Sequence, residues 1–528
     1  MYFRPAFLAL FAALLLAGVT GCQKPESSAR ALPPTMLPPD TIASVHWLGK
    51  RRLGYEATAF FFMRIWNQTP SARLERQTIN RLATAPGQWL PGGTNLTADA
   101  CARLAWLINE LVQEEAYLEV CQPSNGGDEI VFAIRLNAAQ SDQWRTNLPI
   151  VLEPLTGTYA AVNPDQSWSL PTTNALNLIQ LTRVGDWTLV GLSTDKNSLL
   201  ADLAARIRRD GVPFVSAGTN LWLEADFNPS YLATVDPLRS SLVTRHASLA
   251  HVHLTLSGDG ANVITRTKLE FASPLPDSSQ PWQLPLPLLH EPLTSLTVVR
   301  GLQPWLAGWP AWSGLLIGAP PNQFCLWSLA SGPYQVYLAT PLSAAGVSGL
   351  TGQLLARGNP WLAAHGYISF DPAPDGNGVT WGQLPDIKPF IKFAGDAAQG
   401  WLYAGLFPDT NTAALPPPAG LIQDILRRTN LVYYDWEVTG PRLQPCFELG
   451  QTARLIARRP QLPLNSASLN WLGAIIPRLG TTATIINRAG PAELTFYRRS
   501  TLGLTAPELQ LLADWLESSQ FPRSLHAW

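Results

Sequence analysis

The chain has few charged side chains and no excess of either sign. Asp, Glu, Lys and Arg make up 14% of its 528 residues, and the net charge is −1. An average soluble domain carries about 25% charged residues. Nucleic-acid binding needs a basic surface that neutralises phosphates, so this composition argues against a nucleic-acid partner.

Motifs for metals, cofactors and catalysis are also scarce. The chain has five Cys but no C-x-x-C pair, no G-x-S-x-G elbow and no glycine-rich phosphate loop. Ser193 and Lys196 fit S-x-x-K, but the S-D-N and K-T-G motifs that accompany it in β-lactamases are missing. His251 and His253 share one strand face without a clear third zinc ligand. We therefore expect no metal and no cofactor, and we favour a non-enzymatic function.

The longest apolar run stands at the N terminus. Arg4 precedes the stretch AFLALFAALLLAG at 6–18. This length is near the ~7–15 residues of a secretory signal and shorter than the ~20 residues of a membrane-spanning helix. The run ends in Val19-Thr20-Gly21-Cys22, which resembles the lipobox of bacterial lipoproteins. Residues 1–21 are therefore predicted to be a lipoprotein signal peptide.

The resemblance to bacterial lipoproteins implies a membrane anchor. In that family the lipobox cysteine is diacylated, the signal is removed before it, and its new amino group is usually acylated. Cys22 would thus be the lipidation site of an exported protein, with the membrane as its partner. Gln23 stands where Asp would favour the inner membrane, which implies the outer membrane, facing the periplasm. Residues 22–39 are rich in Pro and predict a tether.

Four further cysteines follow the tether, namely Cys101, Cys121, Cys325 and Cys446. An exported protein can form disulfides, and four cysteines allow three pairings. A bridge between Cys101 and Cys121 is conceivable, but isolated buried thiols are the favoured interpretation.

Residues 40–272 show the pattern of an α+β half. The stretch DTIASVHWL at 40–48 predicts a strand, and TADACARLAWLINELVQEE at 97–115 has apolar residues at helical spacing. Turn signals at Gly185-Asp186 and at 258–260 predict β-hairpins. Hairpins punctuated by helices, rather than strict strand–helix alternation, indicate antiparallel sheet backed by helices.

A Pro-rich linker at 273–292 precedes a second half at 293–528 that repeats these signals in the same order. EIVFAIRLNAA at 129–139 corresponds to QVYLATPLSAA at 335–345, and DWTLVGLSTD at 186–195 corresponds to GWLYAGLFPD at 400–409. The shared order predicts two tandem, duplicated halves of one α+β type. Near the C terminus, Thr505 and Glu508 have the spacing of a capping box.

The second half also contains a tryptophan cluster in a segment without charge. Trp305, Trp309 and Trp312 lie within 301–356, which has no Asp, Glu, Lys, Arg or His. Prolines interrupt every window long enough to span a membrane. We favour core packing for this run, with a ligand or partner contact through the three tryptophans as the alternative.

These observations favour a membrane-anchored envelope lipoprotein that binds or scaffolds without catalysis. One alternative is a lipoprotein that binds carbohydrate or peptidoglycan fragments through the tryptophan cluster. The other is an envelope hydrolase whose catalytic groups meet only in space. A further protein or glycan of the envelope is a possible partner. The opening LPPDT at 37–41 resembles uncharacterised bacterial envelope proteins, and the mature part resembles no characterised family.

Overall fold

The structure is a computed structural model. It describes the following residues: 41–89, 96–122, 128–163, 167–171, 178–193, 197–216, 218, 220–228, 249–276, 280–307, 319–332, 334–364, 369–373, 376–381, 387–395, 400–409, 415–456 and 465–522.

Within these residues, ten strands lie in each half. Those of the first half are β1 (Thr41–Trp47), β2 (Ala116–Cys121), β3 (Glu129–Arg135), β4 (Ala161–Val162), β5 (Trp168–Pro171), β6 (Leu178–Val184), β7 (Trp187–Ser193), β8 (Leu223–Phe227), β9 (Leu249–Gly258) and β10 (Val263–Phe271). Those of the second half are β11 (Leu293–Arg300), β12 (Gln323–Leu329), β13 (Val336–Pro341), β14 (Asp371–Pro372), β15 (Gly378–Thr380), β16 (Phe390–Gly395), β17 (Gly400–Gly405), β18 (Leu431–Val438), β19 (Thr481–Gly490) and β20 (Glu493–Ser500).

Helices connect these strands. The first half contains α1 (Lys50–Leu53), α2 (Phe60–Trp66), α3 (Thr69–Thr84), α4 (Pro86–Trp89), α5 (Ala98–Gln113), α6 (Ala138–Thr156) and α7 (Ser198–Asp210). The second half contains α8 (Gln303–Ala307), α9 (Ala344–Gln353), α10 (Asn359–Ala364), α11 (Ala419–Leu426), α12 (Thr439–Ile456), α13 (Ala467–Ile475) and α14 (Ala506–Glu517). Within the described residues, no helix combines the length and hydrophobicity needed to cross a membrane.

The strand order is the same in the two halves. In the first half the order across the sheet is β4-β5-β6-β7-β3-β2-β1-β8-β9-β10. In the second half it is β14-β15-β16-β17-β13-β12-β11-β18-β19-β20. All pairs are antiparallel, which confirms the predicted α+β class of two repeated halves.

The two halves share one sheet. β10 and β20 pair antiparallel, from Val263 opposite Ser500 to Glu270 opposite Glu493. This pairing joins the last strand of one half to the last strand of the other and gives a continuous antiparallel sheet of 20 strands. The residue boundaries predicted for the two halves remain a prediction.

Local signals in the sequence explain several element ends. Gly185 has a φ of 60° in the hairpin between β6 and β7, a conformation that favours glycine. Thr97 caps α5, since its hydroxyl accepts a hydrogen bond from the Ala100 N–H. The predicted capping box is confirmed at α14, where Glu508 accepts from the Thr505 N–H at 2.7 Å.

The helices of the two halves cover the same central region of the sheet but come from different connections. The connection from β1 to β2 carries α1 to α5, whereas the connection from β18 to β19 carries α12 and α13. Buried side chains of α3 and α5 pack with those of α13 and α14 in one core. The opposite face is covered by α7 in the first half and by α11 in the second.

Candidate ligand cavity

An apolar cavity of about 280 Å³ lies between the first half's sheet and the helices above it. Side chains of β1, β2, β3, β8, β9 and β10 form its floor, and α2, α3 and α5 form its walls. The remaining side comes from the second half: α13, α14, the loop before α14 and Phe521. We call this space the apolar cavity. It exists only because both halves contribute to it.

Strand and helix periodicity place apolar side chains around the cavity. In β1, Val45 and Trp47 point into it, and the intervening His46 points to the other face, where it meets Glu115. On α3 the lining residues recur three or four positions apart, as expected for one helix face. They are Ser71, Leu74, Glu75, Thr78, Ile79 and Leu82.

Aromatic rings form one wall of the cavity. Phe62 packs against Trp66 and Trp222 with ring centroids 5.3 Å apart in both cases. The Trp47 Nε1 group donates to the Val112 carbonyl at 3.1 Å, and Trp66 Nε1 donates to Glu75 at 2.8 Å. With their N–H groups satisfied within the protein, these indoles contribute mainly apolar surface to the cavity.

Glu75 is the one ionisable residue in the lining of the apolar cavity. Its carboxylate accepts hydrogen bonds from Lys50 Nζ at 2.5 Å, from Trp66 Nε1 at 2.8 Å and from Gln113 Nε2 at 3.4 Å. The Lys50 ammonium also lies 4.8 Å from the centre of the Trp66 ring. We call Lys50, Glu75 and Gln113 the polar bridge, because Lys50 and Gln113 both donate to the carboxylate that lines the cavity.

A second, polar cleft of about 390 Å³ lies on the far side of the polar bridge, and Gln113 lines it. Arg51, Arg52 and Arg135 supply its cations. We call it the arginine cleft. Its other lining residues are Leu48, Tyr55, Glu114, Glu115, Leu136, Asn137, Gln140 and Asp186. The hydrogen bond between Gln113 and Glu75 therefore joins the lining of a charged space to the lining of an apolar one.

Two of the three carboxylates of the arginine cleft, those of Glu114 and Glu115, lie deeper than its guanidinium groups, and the third, Asp186, is exposed. Glu114 and Glu115 are 14% and 11% exposed, and the three arginine side chains are 50–55% exposed. Arg51 contacts Glu114 at 2.9 Å, and Arg52 contacts Glu115 at 2.9 Å. Arg135 reaches Glu115 at 3.2 Å. A molecule approaching from solvent meets the three arginines and Asp186 before it meets Glu114 or Glu115.

The environment of Glu115 keeps it ionised. Burial alone raises the pKa of a carboxyl group, but the hydrogen bond from His46 and the charges of His46 and Arg52 outweigh that effect. The pKa of Glu115 is therefore lowered from its ordinary value. The deeper Glu110 differs, because burial and the charge of Glu114 raise its pKa.

The second half contains a buried charged group at the sheet surface beneath α12. Arg442 contacts Glu437 at 2.7 Å and Asp435 at 3.7 Å, and Glu437 also accepts from the Ala506 N–H at 2.7 Å. Burial raises the pKa of Glu437. These contacts hold α12 and the start of α14 against β18, so we assign the cluster a structural role. An unpaired charge at such a site would be strongly destabilising.

The thiols of Cys121, Cys325 and Cys446 are poor candidates for nucleophiles. The structure has Cys101, Cys121, Cys325 and Cys446 as free cysteines, so the conceivable bridge between Cys101 and Cys121 is absent from it. Burial raises the pKa of Cys121 and of Cys446 to about 11. Burial raises the pKa of Cys325 further. A nucleophilic cysteine needs a lowered pKa that yields the thiolate near neutral pH.

The two paired histidines contact carboxylates. His253 Nδ1 and His251 Nε2 lie 2.9 Å and 3.2 Å from Asp226 Oδ1, and His251 Nδ1 lies 3.5 Å from Glu270. No cluster of three or more His, Cys, Asp or Glu side chains in the described part of the chain could hold a metal ion.

The remaining sequence predictions fall largely beyond the described residues. Cys22 does, as do Trp309 and Trp312, and for Trp305 only the backbone, in α8, is described. Ser193 is buried at the end of β7, and Lys196 lies outside the described residues. The charge-free segment contributes Trp327, Tyr337 and other side chains to the core of the second half.

The sequence analysis missed the apolar cavity and the arginine cleft. One signal for the cavity was present in α3, where the charged residue Glu75 lies on a helix face that otherwise carries apolar residues, Ser and Thr. However, an apolar helix face looks the same whether it packs against other side chains or borders an empty space.

Comparisons with known proteins do not identify this chain. No protein-family profile matches it, and no curated protein matches it. Among solved structures, crystal forms III and IV of TP0453 are similar to it, each at 7% sequence identity over 44% of this chain and 76% of the TP0453 chain. Their TM-scores are 0.22 and 0.23, values at which the likeness supports no conclusion about fold or function.

Proposed function

We propose that this protein is a non-enzymatic binding lipoprotein of the bacterial cell envelope, and that it holds an apolar ligand in the apolar cavity. The single observation that carries the proposal is the cavity itself, with about 280 Å³ lined almost entirely by apolar side chains. Even smaller cavities of this kind stay dry and take up apolar molecules.

The energetic cost of an empty cavity supports a ligand. Side chains that border this space have no protein atoms opposite them, so they lack the dispersion contacts that a packed core would provide. A ligand that restores the missing van der Waals contacts recovers much of this free energy.

The binding test uses N-phenyl-1-naphthylamine, an uncharged dye that fluoresces in apolar surroundings. We expect saturable binding to the full-length protein, and weaker binding by at least tenfold to Ala116→Leu. Ala116 is 2% exposed and lines the cavity, so the added carbon atoms occupy ligand space. Non-saturable fluorescence, or unchanged affinity in a folded Ala116→Leu variant, would count against the proposal.

The matched control is Ala225→Leu. Ala225 belongs to the same core and is fully buried, but it does not line the cavity. Where this variant remains folded, we expect it to bind the dye as the unmodified protein does.

The membrane anchor is supported by the lipobox at 19–22 and is tested separately. We expect Cys22→Ser to move the protein from the membrane fraction to the soluble fraction, because the acyl chains are then absent. Mass spectrometry of the protein without this substitution should show a diacylglyceryl group on Cys22. Firm membrane retention of Cys22→Ser would contradict lipid anchoring without affecting the binding proposal.

Carbohydrate binding through Trp305, Trp309 and Trp312 and hydrolysis at an unrecognised site remain predictions from the sequence.

A further inference from the structure

We propose that the ligand is an anionic amphiphile, whose chain occupies the apolar cavity and whose carboxylate or phosphate headgroup occupies the arginine cleft. This inference deepens the proposed function and rests on it. It comes from the position of the two spaces on either side of the polar bridge.

The linings of the two spaces meet at the polar bridge. Gln113 lines the arginine cleft, and its amide lies 3.4 Å from Glu75, which lines the apolar cavity. Chain neighbours repeat this arrangement, because Trp47 and Val112 line the cavity while Leu48 and Gln113 line the cleft. Rotation of Gln113 and Glu75 about their side-chain bonds would connect the two spaces.

The cleft presents its positive charges outward. The guanidinium groups of Arg51, Arg52 and Arg135 are half exposed, while their glutamate partners lie beneath them. Each guanidinium carries five N–H donors in a planar fork that matches carboxylate and phosphate oxygens. An anionic headgroup therefore finds donors at the rim. A cationic headgroup would find one exposed carboxylate, Asp186, and would have to pass the arginines to reach Glu114 or Glu115.

The lysine of the polar bridge adds to this preference. The Lys50 ammonium is bonded to Glu75 and lies over the Trp66 ring, and both of these residues line the apolar cavity. When a ligand separates Lys50 from Glu75, an anionic headgroup can replace the carboxylate as the partner of the ammonium. Neutral and cationic headgroups offer no such replacement.

The experiment measures displacement of N-phenyl-1-naphthylamine from the full-length protein by four ligands with the same 12-carbon chain. They are laurate, lauroyl-lysophosphatidylglycerol, dodecanol and dodecylamine. We expect at least one of the two anionic ligands to displace the dye at a concentration about tenfold lower than dodecanol, with dodecylamine the weakest. The first two ligands distinguish a free carboxylate from a lipid phosphate as the preferred headgroup.

Arg52→Gln/Arg135→Gln removes two rim charges. We expect this variant to bind the preferred anionic ligand no better than dodecanol, while its affinity for dodecanol and for the dye is unchanged. The charge-matched control is Arg209→Gln/Arg478→Gln, which removes two exposed arginines outside both spaces and should behave like the unmodified protein. If the first variant loses dye binding through unfolding, Arg51→Gln is measured in its place.

The outcomes separate the two proposals. Failure of the dye to bind saturably would reject the cavity as a ligand site. Saturable dye binding combined with equal or weaker displacement by the anionic ligands would reject the anionic headgroup alone. An equal loss of anion preference in the control variant would also reject the arginine cleft as its site.

Discussion

At the scale of single residues, Asp226 shows how neighbouring groups on the sheet shift each other's pKa values. It lies 2.9 Å from His253 and 3.2 Å from His251, on the side of the sheet away from the apolar cavity. The hydrogen bond to Asp226 raises the pKa of His253 against the opposing effect of burial, and Glu224 adds to the rise while Lys268 opposes it. Burial raises the pKa of Asp226, but both histidines outweigh it and lower that pKa overall.

The raised pKa of His253 predicts a pH-dependent contribution to stability. The contribution is fully present below about pH 6.5, the pKa of an unfolded histidine, and is lost as the pH rises through the raised folded value. We expect His253→Gln to lower Tm most at about pH 5.5 and least at about pH 8.5. These two pH values are taken as approximately the ends of the range over which histidine titrates. Thermal unfolding of both proteins across this range checks it, and a pH-independent Tm difference would contradict it.

At the scale of elements, helix ends follow local sequence while helix placement does not. Thr505 and Glu508 form the capping box that starts α14, and both residues are recognisable from the sequence. A Thr-Pro pair such as Thr69-Pro70 is typical of an N-cap followed by the first helical residue, but α3 begins at Thr69 and Gln68 occupies its N-cap position. The packing of α3 against α13 and α14 of the other half has no counterpart in local sequence.

The apolar cavity predicts that two alanine-to-leucine substitutions in one core differ in their effect on stability. Ala225→Leu adds carbon atoms where the core is full, and we expect it to cost about 1–3 kcal/mol of unfolding free energy. Ala116→Leu adds the same atoms next to empty space, and we expect its stability to be unchanged or higher. Urea unfolding without ligand measures both, and equal destabilisation would argue against the cavity.

At the scale of the whole molecule, two repeated halves share one antiparallel sheet. The repeated strand order and the pairing of β10 with β20 give the sheet an internal symmetry. The surface beneath the helices breaks that symmetry. In the first half it is apolar and contains the cavity, whereas in the second half Asp435, Glu437 and Arg442 occupy it.

The shared helical core predicts that the halves unfold together. Leu509 on α14 is fully buried between helices of both halves, and we expect Leu509→Ala to cost about 2–5 kcal/mol. Leu511→Ala on the same helix is the matched control, because Leu511 is 40% exposed and its truncation should have little effect. Circular dichroism and tryptophan fluorescence should report one coincident, shifted transition for Leu509→Ala. Two separate transitions would show independent halves.

The sequence by itself determined the class and the repetition of this fold. Alternating apolar residues, glycine turns and capping residues act over a few positions, and they specified the hairpins, the α14 capping box and the corresponding strands β3 and β13. The lipobox at 19–22 is another local signal, and it supports the expectation of a lipid anchor at Cys22. Such signals are readable because each depends only on near neighbours.

Only the tertiary structure decided which apolar faces pack against each other and whether they leave a cavity between them. The apolar cavity joins residues as distant in the chain as Val45 and Trp515, and the arginine cleft brings Arg51 next to Arg135. The volume left between packed surfaces depends on the distance between elements. No local pattern of hydrophobic and polar residues encodes that distance, so an apolar face that binds a ligand and one that packs in a core have the same sequence pattern.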